Sequence, residues 1–169
     1  MMSSSPVVIC AVAGAGGSGA VVDLFTRRVP NPLTFGIASL GLLLAATETT
    51  SVGLAGALGG LAIGLLLMLP GHVIGATGAG DVKFLGALGT LLGPGRTGVA
   101  FIYMALVGGF LAAAVAWRRK RLATTLDRTA AILRTGGAAA ATIERPSENN
   151  RFAYAPAIAL GALAAALGV

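Results

Sequence analysis

The chain has 169 residues, of which 56% are hydrophobic and only 11% are charged, and its mean hydropathy is +0.87. A soluble domain carries about 25% charged residues, so a chain this apolar cannot hide its hydrophobic side chains in one small core and needs the bilayer as part of its solvent. The net charge of +6 does not indicate a nucleic-acid partner, because the basic residues lie in short loops beside apolar segments, where they meet anionic lipid headgroups.

Six apolar segments follow one another along the chain. A helix needs about 20 residues to cross the hydrocarbon core; the second segment reaches that length only with its flanks, and the fourth is short and ends at Gly93-Pro94-Gly95. The fourth therefore either crosses with help from its flanks or forms a partial span. We predict an all-α membrane protein, a bundle of about six transmembrane helices in one integral-membrane domain over residues 1–169. The segments are 6–22, 33–46, 52–69, 84–92, 97–117 and 153–169.

Within the first segment, Ala11-Val12-Ala13 resembles the small-residue cleavage site of a signal peptide. No Lys or Arg precedes Pro6, however, whereas a signal peptide needs a positive n-region. We interpret the segment as a retained span with its N-terminus outside. It contains Cys10, the single cysteine, which alone cannot form an internal disulfide or a cysteine zinc site.

The distribution of basic residues tests that orientation. With six crossings and the N-terminus outside, the inner loops are 23–32, 70–83 and 118–152, and they hold every Lys and Arg of the chain except Arg96. Short cytoplasmic loops carry an excess of Lys and Arg. The predicted topology therefore agrees with this rule, and it places the loops 23–32 and 70–83 on the cytoplasmic side.

The third segment carries a row of glycines, and a long basic loop precedes the last segment. Gly53, Gly56, Gly60 and Gly64 form a ridge along the third segment, which predicts close helix packing in lipid. The basic loop 118–152 has apolar residues at near-helical spacing. It is either an interfacial helix on the anionic inner leaflet or a solvated loop.

Asp23 and Asp81 lie at the ends of apolar segments, and the predicted topology puts both on the cytoplasmic face. A carboxylate at bilayer depth costs about 2.5–3.5 kcal/mol, so such a residue is a candidate for function. Two close carboxylates share one proton: the ionised member can take a proton from water, and the protonated member can polarise a carbonyl. This chemistry hydrolyses a peptide bond without a metal or an organic cofactor.

Residues near Asp81 add to this hypothesis. Gly78 and Gly80 permit turns that other residues resist and let a substrate backbone come close. Lys83 either stabilises negative charge nearby or anchors the fourth segment at the interface. An Asp before an apolar run is also favoured as a helix N-cap, which is the structural alternative for Asp81.

Three segments in order resemble motifs of one known family. Residues 78–85, Gly-Ala-Gly-Asp-Val-Lys-Phe-Leu, resemble the signature of the GxGD-type membrane aspartic peptidases, in the form found in prepilin peptidases. The stretch from Asp23 through Pro30 and Asn31 is similar to the first catalytic motif of the prepilin peptidase (type IV leader peptidase) family. Residues 154–161 are similar to its C-terminal segment.

The resemblance implies an aspartic endopeptidase of the inner (cytoplasmic) membrane, with Asp23 and Asp81 as its aspartates. Its implied partner is a prepilin-like protein with a basic leader and an apolar helix. The chain lacks the cysteine-rich insertion of larger members, so N-methyltransfer is not expected and the minimal, tight-adherence (Flp) or preflagellin form fits better. The alternative is a transporter or assembly subunit that uses the aspartates to relay protons or ions. Such proteins place their acids near the midplane, whereas both acids are predicted here at one surface.

Overall fold

The computed structural model describes residues 5–75, 77–118 and 154–168, and all regular secondary structure in these ranges is helical. Each of the six predicted segments forms a helix, which confirms the all-α prediction. Residues 119–153 of the basic loop lie outside the described residues, so the choice between interfacial helix and solvated loop stays a prediction. The helices are α1 (Pro6–Thr26), α2 (Asn31–Ala46), α3 (Leu54–Val73), α4 (Ala79–Leu92), α5 (Pro94–Arg118) and α6 (Ala155–Leu167).

Three of these described helices are long and apolar enough to cross a membrane: α1, α3 and the Pro94–Leu111 part of α5. The apolar helices α2 and α6 are shorter, with 16 and 13 residues. The last segment, expected to be a full-length span, thus forms a helix of only about 20 Å at 1.5 Å per residue. Its first turn begins at Ala155, whose backbone N–H is engaged by a side chain of α1.

Helix α4 occupies the centre of the bundle and contacts each of the other five described helices. Its residues from Phe84 to Leu92 are all buried. A helix that is apolar on every side is typical of an interior position, and at 14 residues α4 measures about 21 Å. The short fourth segment is therefore the core helix of the bundle, around which the others pack.

Glycine contacts bring α3 against α4 at backbone distance. Gly60 lies on Gly89, and a Cβ built at Gly64 would lie 2.8 Å from the Cα of Gly86. Gly53, at the start of α3, faces open space. The predicted glycine ridge is therefore a packing surface over its second half, as small residues are in membrane helix pairs.

Large apolar side chains cover much of the outside of the bundle. Phe25, Phe110 and Trp117 are 85%, 77% and 72% exposed. A soluble monomer rarely exposes so many large apolar groups. The exposure fits a surface that faces lipid.

Candidate active site

Asp23 lies in the last turn of α1, which runs past the predicted end of the first segment to Thr26. The helix closes at Arg27, which adopts a left-handed conformation with φ of 53° and donates its N–H to the carbonyl of Asp23 at 2.7 Å. The Asp23 side chain is only 4% exposed. Its Oδ2 accepts a hydrogen bond of 3.1 Å from the backbone N–H of Ala155, at the start of α6.

Asp81 lies inside the first turn of α4, because the helix already begins at Ala79 with Gly78 as its N-cap. The prediction that Asp81 ends a loop is therefore wrong, as is the alternative that it is the N-cap itself. Its Oδ2 accepts the N–H of Gly78 at 3.2 Å, which is the carboxylate half of a capping box. A negative charge at this position is also favoured by the helix dipole.

The two glycines before Asp81 act through close packing and not through an unusual turn. Gly78 has φ of −76° and ψ of 149°, a conformation open to any residue, so the expectation of a glycine-requiring turn is wrong. A Cβ at Gly80 would lie 3.2 Å from the carbonyl oxygen of Val29. The missing side chain at Gly80 thus lets α4 approach the segment between α1 and α2.

A hydrogen bond joins the first two motifs directly. Pro30 caps α2 and Asn31 is its first residue, and Nζ of Lys83 donates to Oδ1 of Asn31 at 3.1 Å. The Lys83 ammonium thus links the start of α4 to the start of α2, a role that neither sequence interpretation included.

Phe84 packs α4 against α1 and fixes the relative position of the two helices along their axes. Its ring is fully buried and occupies the place where Gly19 would carry a side chain. Gly19 is one turn before Asp23, and Phe84 is about one turn after Asp81. This contact therefore controls how the two turns that carry the acids are aligned.

Tyr154 and Ala155 form the third component of the site, which the sequence interpretation did not single out. Ala155 donates its N–H to Asp23. Burial raises the pKa of the Tyr154 phenol, and the negative charge of Asp81 raises it further. The Ala155 N–H thus brings the start of α6 against the Asp23 carboxylate. The only sequence signal for this was the resemblance of residues 154–161 to a family motif.

His72 lies in the last turn of α3, just before the connection to α4. Its Nδ1 is 3.1 Å from the carbonyl oxygen of Thr77, and because a carbonyl only accepts, Nδ1 carries the proton in this bond. The contact braces the loop that leads to Gly78. Among the described ranges, no three His, Cys, Asp or Glu side chains are grouped as metal ligands would be.

Comparison with known proteins agrees with the motif assignment. The model of the type IV leader peptidase family matches residues 8–115. The chain belongs to the type IV leader peptidase family. The matched range includes Asp23 and the whole Gly78–Leu85 segment, and it ends before Tyr154.

Searches of the curated proteins and of the solved structures gave no match. Membership of a membrane-peptidase family and three helices of spanning length together identify a membrane protein.

Proposed function

We propose that this protein is an integral-membrane aspartic endopeptidase that removes the leader from prepilin-like substrates, with Asp23 and Asp81 as its catalytic pair. One observation carries the proposal: the Phe84 ring packs on Gly19, and this contact sets the last turn of α1, which holds Asp23, against the first turn of α4, which holds Asp81. Supporting contacts come from the motif residues around the pair: Lys83 bonds Asn31, which follows the N-cap Pro30, Gly78 donates to Asp81, and Gly80 approaches Val29.

The proposed hydrolysis divides the work between the two acids. Asp81 accepts the Gly78 N–H at a helix N-terminus, and both features favour its ionised form. In the proposed mechanism the two acids share one proton, and that proton rests on Asp23. Asp81 then takes a proton from water, and the water oxygen bonds to the scissile carbonyl carbon. In the same step Asp23 protonates the carbonyl oxygen. Collapse of the tetrahedral intermediate breaks the C–N bond as Asp81 gives its proton to the leaving amine and Asp23 takes a proton back from a hydroxyl of the intermediate, which restores both acids.

The membrane orientation of the substrate follows from the basic residues at this end of the bundle. Arg27 and Arg28 follow α1, and Lys83 is the fifth residue of α4. Basic residues concentrate at the cytoplasmic side of the inner membrane, so we assign the site of this multi-pass protein to that side. A prepilin-like substrate would place its leader there and its apolar helix in the bilayer. The proposed activity is hydrolysis alone, without methyl transfer to the new amino terminus.

Co-expression with a prepilin-like protein that has a basic leader and an apolar helix tests the proposal. Asp23→Asn and Asp81→Asn should each lower the rate of leader removal about 10²–10⁴-fold, as loss of a general acid or base does. The matched control is Glu48→Gln, which changes an exposed acid in the connection after α2 and should leave processing unchanged.

Membrane fractionation confirms that each variant is inserted before rates are compared. Full-rate processing by either inserted aspartate variant would overturn the assignment of the pair. A total lack of processing by the unaltered chain with several such substrates would overturn the substrate class.

A further inference from the structure

Two hydrogen bonds meet on a single peptide unit in front of α4. Nδ1 of His72 donates to the carbonyl oxygen of Thr77 at 3.1 Å, because a carbonyl only accepts. The N–H of Gly78 belongs to the same peptide unit and donates to Oδ2 of Asp81 at 3.2 Å. His72, the Thr77–Gly78 peptide and Asp81 therefore form one continuous chain of hydrogen bonds, which we call the relay.

The peptide in the middle of the relay couples its two bonds. A peptide unit is planar, and its C=O and N–H point in opposite directions. A donor that fixes the direction of the Thr77 carbonyl therefore also fixes the direction of the Gly78 N–H. Hydrogen bonds in series polarise one another, and the last acceptor is a carboxylate, to which such bonds are stronger than to a neutral group.

Thr77 is held against the end of α3 by more than the His72 bond. Its N–H donates to the carbonyl of Gly71 at 3.2 Å, one of the carbonyls that a helix leaves open at its last turn. A Cβ built at Gly71 would lie 3.2 Å from both Cγ2 and Oγ1 of Thr77, so the Thr77 side chain rests on a glycine. Both backbone groups of Thr77 are thus bonded to consecutive residues of α3.

We propose that His72 is a positioning residue of the catalytic pair: its Nδ1–H, acting through the Thr77–Gly78 peptide, orients the carboxylate of Asp81. The His72 side chain is exposed and is not part of the buried core, so its role lies in this bond and not in packing. The inference rests on the proposed function, because Asp81 is one of the proposed pair. It adds the end of α3 to the site.

His72→Ala removes the donor at the head of the relay. The assay uses the purified full-length chain in liposomes and a prepilin-like substrate with a basic leader and an apolar helix. The kcat per folded enzyme should fall about fivefold, the size of one hydrogen bond, with KM nearly unchanged because Asp81 acts on the reacting bond. Val73→Ala is the control, since Val73 is the next residue and is 77% exposed; it should keep the unaltered kcat.

Two further variants at position 72 separate the donor from the bulk of the side chain. The amide nitrogen of Asn lies at the same bond distance from Cβ as Nδ1 of His, whereas the amide nitrogen of Gln lies one bond further. His72→Asn should therefore restore most of kcat, and His72→Gln should remain as slow as His72→Ala.

Variants of Gly78 test whether the effect passes through its N–H. Proline has no N–H, so Gly78→Pro cuts the relay before Asp81, whereas Gly78→Ala keeps it. His72→Ala should lower kcat about fivefold in the alanine background and leave it unchanged in the proline background, because changes within one hydrogen-bonded network are not additive. An equal fall in both backgrounds would show that His72 only braces the loop, which would overturn the proposal.

Failure of this inference can be told apart from failure of the proposed function. If Asp23→Asn and Asp81→Asn abolish cleavage while His72→Asn and His72→Gln have equal rates, the catalytic pair stands and the role of His72 is overturned. The role is also overturned if Val73→Ala is as slow as His72→Ala. If the aspartate variants cleave at full rate, the proposed function itself fails and the role of His72 fails with it.

Discussion

The last turn of α1 and the first turn of α4 each present one aspartate, but they hold it in opposite ways. Asp81 accepts a hydrogen bond from Gly78, three residues earlier in the same chain segment. Asp23 accepts its bond from Ala155, 132 positions away. Asp81 is partly exposed and Asp23 is buried. One acid is thus positioned by local helix capping, and the other only by the packing of the whole bundle.

This difference predicts which changes matter for each acid. A local cap forms with its helix and contributes a modest, self-contained stabilisation. A long-range bond exists only if α1, α4 and α6 are aligned by their side chains, so a packing error far from the chemistry can misplace the buried acid. Variants that disturb packing should therefore harm the site more than variants that disturb the cap.

Among variants that keep both aspartates, the largest effect is expected from Gly19→Leu, which forces a side chain into the space held by the buried Phe84 ring. Overpacking of this kind costs about 1–3 kcal/mol, and displacement of Asp23 should lower the cleavage rate about 10²-fold. The measurements are the melting temperature in detergent and the initial rate of leader removal.

Gly17→Leu is the control for that variant, since Gly17 is on the same helix and has nothing within 4 Å of its Cβ position. It should keep both the melting temperature and the rate. Equal losses in the two variants would show that α1 tolerates no added side chain at either position, and that the Phe84 contact has no special part.

A smaller effect is expected on the side of Asp81 from Gly78→Pro. The φ of Gly78 is −76°, within the range of proline, so the substitution removes the N–H given to Asp81 while keeping the backbone angle. The cleavage rate should fall about tenfold, as for loss of one hydrogen bond to a charged group. Gly78→Ala keeps the N–H and is the reference. Equal rates for the proline and alanine variants would mean that this bond does not orient Asp81.

The smallest effect is expected from the link between Lys83 and Asn31, both of which are exposed. Asn31→Ala, Lys83→Met and the double variant form a cycle whose coupling energy should be about 0.5 kcal/mol in the free energy of unfolding. A coupling above about 2 kcal/mol would instead make this bond a main support of the α2–α4 contact.

Sequence reasoning succeeded where the controlling interactions are local. The six apolar segments each became a helix, because hydrophobic runs of this length have few alternatives in lipid. It was wrong about Gly78, whose backbone is ordinary, and about the position of Asp81, which lies within α4 and not before it. Both errors concern α4, which begins at Ala79, five residues before the apolar segment that starts at residue 84. Capping and not apolarity decides where a helix starts.

The short fourth segment shows the limit most clearly. From its length, the fourth segment could be a full or a partial span. The tertiary structure makes it the central helix, which contacts the other five described helices. Hydropathy reports how apolar a helix is, but not whether its apolar sides meet lipid or protein. Only the packing distinguishes the two environments.

The sequence by itself therefore determined that this is a helical membrane protein, and it determined the family, whose model matches residues 8–115. The tertiary structure decided that Ala155, which stood out only as part of a weaker motif, donates its N–H to the buried Asp23. The physical reason is the range of the forces involved. Helix formation and capping depend on neighbours a few residues away, whereas the alignment of three helix ends depends on contacts such as Phe84 on Gly19 and Tyr154 on Gly108, which no local pattern contains.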